Sequence, residues 1–301
     1  MSRPTPRTTL QMQPPQTVAP SPASNPVMYA GTRFATTLLA ALTLLTIPHM
    51  LHAQTSQPQA QQAIETAVQS ELAAAKNDHS NWRYRDSDVG PDKNAIYDQI
   101  ETPQGSLKRM IELNGQPLTG QARADETDRI AEYVNDPAEQ AKRHKAAAHD
   151  DAQAETLLKM LPTAFLWTIA SETPEYLTLD YRPNPAFDPP DYEARVMGTM
   201  AGQVIIAREG NRIRTLRGSL TQDVKFGFGL FGRLNQGGTF DIERRQIIPG
   251  HWQITESHVH IGGRALLFKN IGQQDDEVKT DWHPSPAHTL HEAEDILRDS
   301  K

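Results

Sequence analysis

The sequence predicts an α+β fold: a large curved antiparallel sheet, an open half-barrel of about 9–11 strands, with a helical lid on its concave face. Three observations carry this. From Ala164 to about Trp282, β-prone runs follow one another with only turns or short connections between them. Strands that close must be antiparallel, because a parallel crossover needs about a dozen residues or more. Asp125–Leu161 is instead charged, Ala-rich and free of β-branched runs, which predicts a helical insertion. A further helix leads the sheet, because Ile64, Val68 and Leu72 repeat every four residues in an Ala/Gln-rich segment.

Element by element, the leading helix is expected from about Pro58 to Lys76. "NWRYR" (Asn81–Arg85), "AIYDQIE" and "SLKRMIELNG" read as strands, the last two joined through the hairpin signal Thr102-Pro103-Gln104-Gly105. Asp136-Pro137 divides the insertion into two helices, and Pro162 is expected to stop the second after Leu157, Leu158 and Leu161. "FLWTIAS" and "YLTLDYR" resume the sheet. "PNPAFDPPD" is a proline-stiffened connection. Then come "AGQVIIARE", "IRTLRGSLTQDVKF", "GTFDIERRQI", "HWQITESHVHI" and "RALLFKN", with tight turns at Glu209-Gly210-Asn211 and Gln236-Gly237-Gly238. "TLHEAEDILRD" closes the chain as a helix with capping-box spacing between Thr289 and Glu292.

The N-terminal part of the 301-residue chain belongs to targeting rather than to the fold. Met1–Val27 is rich in Pro, Thr, Gln and Ser, lacks apolar periodicity, and is expected to be disordered. Residues 28–53 carry a positive Arg33, an apolar run from Phe34 to Ile47 and a cleavage signal at Leu51-His52-Ala53, the pattern of a secretory signal peptide. The run is shorter than the roughly 18–20 apolar residues a span requires. Met28 stands where such a peptide should begin, so Met1–Val27 is either an upstream extension of the reading frame or a long n-region. The expected location is the periplasm, with a single domain over residues 54–301 and no membrane span after cleavage.

Removing Arg3, Arg7 and Arg33 from the 30 basic residues leaves 27 against 37 acidic ones, a balance of −10. That charge argues against nucleic acid or an anionic membrane surface as partner. The chain has no cysteine. Disulfides, thiolate catalysis, Cys-based zinc sites and a lipobox are thereby excluded.

Motifs for chemistry are weak. "GFGLFG" (Gly227–Gly232) matches G-x-G-x-x-G, but a turn and a strand follow it where a dinucleotide site needs a helix N-terminus. It reads as an apolar strand end or as a loop lining an apolar cavity. No H-E-x-x-H, G-x-S-x-G or Ser-x-x-Lys occurs. His283, His288 and His291 could converge only if the tail folds back. Asp150-Asp151 reads as a solvated helix face. His258 and His260 lie one residue apart on a strand and so share a face. The apolar phase of that strand slips between Trp252/Ile254 and Val259/Ile261. A β-bulge near Thr255–Ser257 would restore one apolar face and turn both histidines to water. A metal site that recruits Glu256 is the alternative. The expectation is a non-enzymatic protein without a cofactor.

The segment Gly198–Asn270 resembles LolA/LolB-like periplasmic outer-membrane lipoprotein-sorting proteins. The resemblance rests on the "GQVIIAREGNRIRTLRG" hairpin, the Gly-flanked "FDIER" strand and "GHW" entering the next strand. It implies an open half-barrel whose apolar face, lidded by helices, holds acyl chains of lipid or lipoprotein. The long charged insertion departs from that pattern. The cavity-lining candidates are Trp167, Ile206, Leu216, Leu220, Phe226, Phe228, Phe240, Ile242, Trp252 and Ile254. Each has ordinary core packing as its alternative. The alternatives for function are an envelope protein-interaction or stress-sensing module on the same fold, and a metal-dependent hydrolase that uses surface histidines.

Overall fold

Residues 50–226, 232–265 and 270–299 are described by the computed structural model. Among them are helices α1 (Met50–Asn77), α2 (Gly120–Val134), α3 (Pro137–Ala164), α4 (Tyr192–Gly198) and α5 (Leu290–Arg298). The strands are β1 (Trp82–Gly90), β2 (Lys93–Thr102), β3 (Gly105–Leu113), β4 (Gln116–Pro117), β5 (Phe165–Glu172), β6 (Tyr176–Pro183) and β7 (Met200–Ala207). They continue with β8 (Arg212–Leu220), β9 (Val224–Phe226), β10 (Gly232–Leu234), β11 (Thr239–Ile248), β12 (His251–Ala265) and β13 (Asn270–Pro284). All 13 strands join one sheet, in the order β4-β3-β2-β1-β13-β12-β11-β8-β7-β6-β5, with β10 beside β12 and β9 beside β10. Every pairing is antiparallel and the sheet is open. The chain is therefore α+β, as its sequence predicts.

Local chemistry explains the boundaries. Asp136 caps α3 by accepting from the amides of Ala138 and Glu139, with Pro137 in the first turn where its missing N–H costs nothing. Thr289 accepts the Glu292 amide, while the Glu292 carboxylate takes the His288 amide, so the reciprocal cap of α5 forms one residue early. Three expectations need correction. Pro162 does not stop α3, which runs on to Ala164; a proline so near a C-terminus frees one carbonyl inside the last turns. Helix α1 already includes Met50, so Pro58 lies inside it rather than at its start. The region after Ala164 is not all strand: α4 intervenes, capped by Asp191 accepting the Ala194 amide.

One cross-strand row fixes the faces of the sheet. Leu179, Val204, Leu216, Ile242, Ser257, Glu277, Asp88 and Ala95 are successive partners from β6 to β2, so all lie on one face. The larger core is built on this face. Ala60, Ile64, Ala67 and Val68 of α1 pack with Phe165, Trp167, Leu179, Val204 and Leu220, each at most 3 % exposed. Full burial of each large aliphatic side chain contributes about 1.5–3 kcal/mol. The smaller core lies on the opposite face. Ile100 of β2 is out of phase with Ala95, and it packs with Leu107, Ile130, Val134, Leu290, Ala293 and Leu297 under α2 and α5. Helices thus cover both faces, at opposite ends of the sheet.

Each core is pinned by one buried polar group. Glu71 of α1, 6 % exposed, receives Arg212 Nε and the Ile213 amide on one oxygen and Arg212 Nη2 and Arg244 Nη1 on the other, at 2.5–3.0 Å. Burial alone would raise its pKa, but Arg212 and Arg244 outweigh burial and hold it below the ordinary carboxylate value. Arg109 of β3, 3 % exposed, donates to the Leu297 carbonyl of α5 and to Thr127 of α2. Glycine matters at one crossing. Tyr181 reaches over β7 to donate to the Arg217 carbonyl at 3.1 Å, and a Cβ at Gly218 would stand 2.1 Å from its hydroxyl oxygen.

Candidate functional site

Only the partly buried border of the larger core reaches the middle of the sheet. No described helix packs squarely on β11, β12 or β13. On the face that carries the larger core, Phe240, Ile242, Val259 and Ile261 are half-buried and Ile254 is 42 % exposed. They lie side by side: Phe240 pairs with Val259, and Ile242 with Ser257. Phe240, Ile261 and Leu216 also touch the edge of the larger core, so the apolar surface runs without a break from under α1 into the open.

The phase slip in β12 has a structural cause. Glu243 pairs with Glu256 and Arg244 with Ile254, which leaves Thr255 as the extra residue of a bulge. Beyond it Val259 and Ile261 share the face of Trp252 and Ile254. His258 and His260 take the other. There they meet Asp276 of β13, with His258 Nδ1 at 2.7 Å and His260 Nε2 at 3.0 Å from Oδ1. Hydrogen bonds to the two imidazoles hold the Asp276 carboxyl below its usual range. Glu256 Oε2 stands 3.9 Å from His258 Nε2. Among the described residues, no three His, Asp or Glu side chains are gathered so as to hold a metal ion. This cluster is a polar ladder on the wet face.

The ten apolar candidates separate into groups. Trp167, Ile206 and Leu220 are sealed in the larger core, at 2 %, 3 % and 1 % exposure. Leu216 and Phe240 line its border. Phe226 stacks on Tyr192 of α4, ring centres 4.2 Å apart. Ile242, Trp252 and Ile254 continue the open surface, with Arg212 poised 5.9 Å from the Trp252 ring. Phe228 lies outside the described residues, as does most of "GFGLFG". The strand β10 that follows it pairs with β9, so no helix N-terminus receives a phosphate there. Asp150 and Asp151 are exposed on α3, and His283, His288 and His291 are exposed.

Sequence reasoning missed a second half of the open face. Across β12 from Val259 and Ser257 stand Asp275 and Glu277, and across β13 from Glu277 stands Asp88. Asp86 follows on the same face, its side chain 1 % exposed, bound through Oδ2 to Lys108 Nζ at 2.5 Å. Lys93 binds Asp88, and Lys279 binds Glu277 at 3.2 Å. Lys108 also lies 4.1 Å from the Tyr97 ring centre. The signal for this cluster was available as two acid pairs with i, i+2 spacing, Asp86/Asp88 and Asp275/Glu277, each putting both carboxylates on one face. The open face is therefore apolar over β11–β12 and charged over β13–β1–β2.

Among the described residues, no helix is long and apolar enough to cross a membrane. No protein-family model, curated protein or solved structure matches this chain.

Proposed function

We propose that this chain is an exported, non-enzymatic binding protein that holds a hydrophobic ligand, such as the acyl chain of a lipid or lipoprotein, against the apolar half of its open sheet face. The observation that carries the proposal is the row of half-buried Ile242, Phe240, Val259 and Ile261 with exposed Ile254, which no described helix packs on and which is contiguous with the larger core. A sheet that leaves such a row open loses burial free energy of about 25 cal/mol per Å². A contiguous apolar patch rimmed by polar groups is the form that ligand and partner sites take. The resemblance of Gly198–Asn270 to lipoprotein-sorting proteins points the same way, and export to the periplasm accords with the segment from Met28 to Ala53.

Mass spectrometry of an organic extract of the purified protein tests this. Bound lipid is expected from the wild type and is lost in Val259→Asp, whose melting temperature stays within a few degrees because the side chain is only half-buried. A wild-type extract free of lipid contradicts the proposal.

A further inference from the structure

We propose that α3 is a strut that sets how far the two edges of the open sheet stand apart. Strands β4 and β5 are those edges, and the chain passes from one to the other through α2 and α3. The row between them counts ten strand spacings, or about 48 Å along the sheet at about 4.8 Å each. Helix α3 has 28 residues and is about 42 Å long at about 1.5 Å per residue. A single helix is thus comparable in reach to the whole sheet.

The two ends of α3 are anchored in different cores. Near its start, Gln140 Nε2 donates to the Tyr133 and Val134 carbonyls, and the Arg143 guanidinium lies 4.4 Å from the Tyr133 ring centre. Tyr133 and Val134 belong to the smaller core. At the other end Leu161 and Ala164 are buried in the larger core, Leu158 packs against it, and Gln61 of α1 donates to the Pro162 carbonyl. From Ala141 to Ala152 all twelve residues are exposed. That is more than three turns at about 3.6 residues each, so beyond Arg143 solvent reaches every side of the helix.

A span without packing must hold its shape by itself, and its sequence is suited to that. No glycine or proline occurs from Ala138 to Leu161, and six alanines fall from Ala141 to Ala154. Ion pairs four residues apart, Glu139 with Arg143 and Glu155 with Lys159, bracket the span. No large apolar side chain occurs from Ala141 to Thr156. A helix that is polar all round acts as a bridge through solvent, and alanine- and charge-rich helices are semi-rigid spacers. Such a spacer matters here because, among the described residues, no helix packs squarely on β11, β12 or β13. The curvature of the middle strands is then governed from the edges. Whatever occupies the open face, α3 sets its width.

The chain has no cysteine, so two introduced cysteines report that width cleanly. Spin labels are placed in the full chain at Ser106→Cys of β3 and Thr168→Cys of β5, both exposed positions, and their separation is read by pulsed electron paramagnetic resonance. The labelled parent should give one narrow distance distribution. Insertion of seven helix-forming residues after Ala147 adds about two turns, or roughly 10 Å, and nearly restores the helical phase. It should move the distribution to longer distance by several ångströms. Ala147→Pro, which breaks the helix in the bare span, should broaden the distribution while the near-ultraviolet circular dichroism of the cores stays as in the parent. A distribution unchanged in either folded variant makes α3 a passive connection and overturns the proposal. Hydrogen exchange on the unaltered protein decides without any variant. Amides from His144 to Ala152 should exchange at least about tenfold more slowly than in an unstructured chain. Exchange at the unstructured rate means a slack linker and overturns the strut.

Discussion

The two flanks of the sheet solve the same packing problem on opposite faces. At the β5–β8 flank, α1 lies on the face shared by Leu179 and Val204, held by Glu71 between two arginines. At the β1–β3 flank, α2 and α5 lie on the other face over Ile100 and Leu107, held by a buried Arg109 that donates to a helix carbonyl. Among the described residues, no helix packs squarely on the middle strands β11–β13, where only the border of the larger core reaches through Phe240 and Ile261 and α1 touches β11 through the Glu71–Arg244 pair. The proposed open site follows from that arrangement. The flanks also differ in electrostatics: the first is pinned by an ion pair, the second by a cation and a dipole.

The sharpest way to separate the flanks is Glu71→Ala. It leaves Arg212 and Arg244 without their shared anion in a buried place, so a loss of about 3–5 kcal/mol is expected in chemical denaturation. The pH dependence has a definite sign. The folded-state pKa of Glu71 lies below the ordinary value of 4.5, so its contribution is fully present above that pH and is lost as the pH falls through the folded value. Wild-type protein should therefore lose stability on acidification more steeply than Glu71→Gln. Trp167→Ala should cost a similar amount, about 3–5 kcal/mol, through the cavity it opens in the larger core, and it should leave hydrogen exchange in α2 and α5 less affected than in α1.

Smaller effects belong to the middle of the sheet. Glu277 has a raised pKa, so protonation is favoured by folding and the associated stability is lost as the pH rises from the ordinary value through the raised one. Glu277→Gln is expected to melt slightly higher than wild type at neutral pH, by about 0.5 kcal/mol after screening, with no gain at pH 4. His258→Ala, on a surface ladder, should change stability by less than about 0.5 kcal/mol and leave lipid binding intact. A large loss of binding in that variant would move the site to the histidine face.

Much of this was legible in the sequence. The bulge at Thr255 follows from the phase of Trp252, Ile254, Val259 and Ile261, because a period of two tolerates no other repair. The helix starts at Pro137 and Leu290 follow from the Asp136-Pro137 break and the Thr289 cap. Three features were not legible. Strand β13, which joins the flanks, carries Gln274, Asp275, Asp276 and Glu277 in succession, so its alternation is not one of apolar and polar residues; its faces are charged on one side and bound to histidine on the other. Helix α4 is only seven residues long and sits between a proline-rich connection and a strand, too short for a period to register. The side of the sheet each helix covers depends on register across several strands, which no local window contains. The apolar candidates illustrate the same limit, since Trp167 and Ile254 look alike in a sequence pattern and stand at 2 % and 42 % exposure.

Photo-crosslinking with a diazirine-bearing fatty acid, followed by peptide mapping, reports directly on where the tail lies. Labels are expected on peptides from Thr239–Ile248 and His251–Ala265, with carbon insertion at Ile242, Ile254 or Val259, and these labels should disappear in Val259→Asp. Labelling concentrated in α1 and β5, or on the His258 face of β12, would contradict the open apolar face as the binding surface.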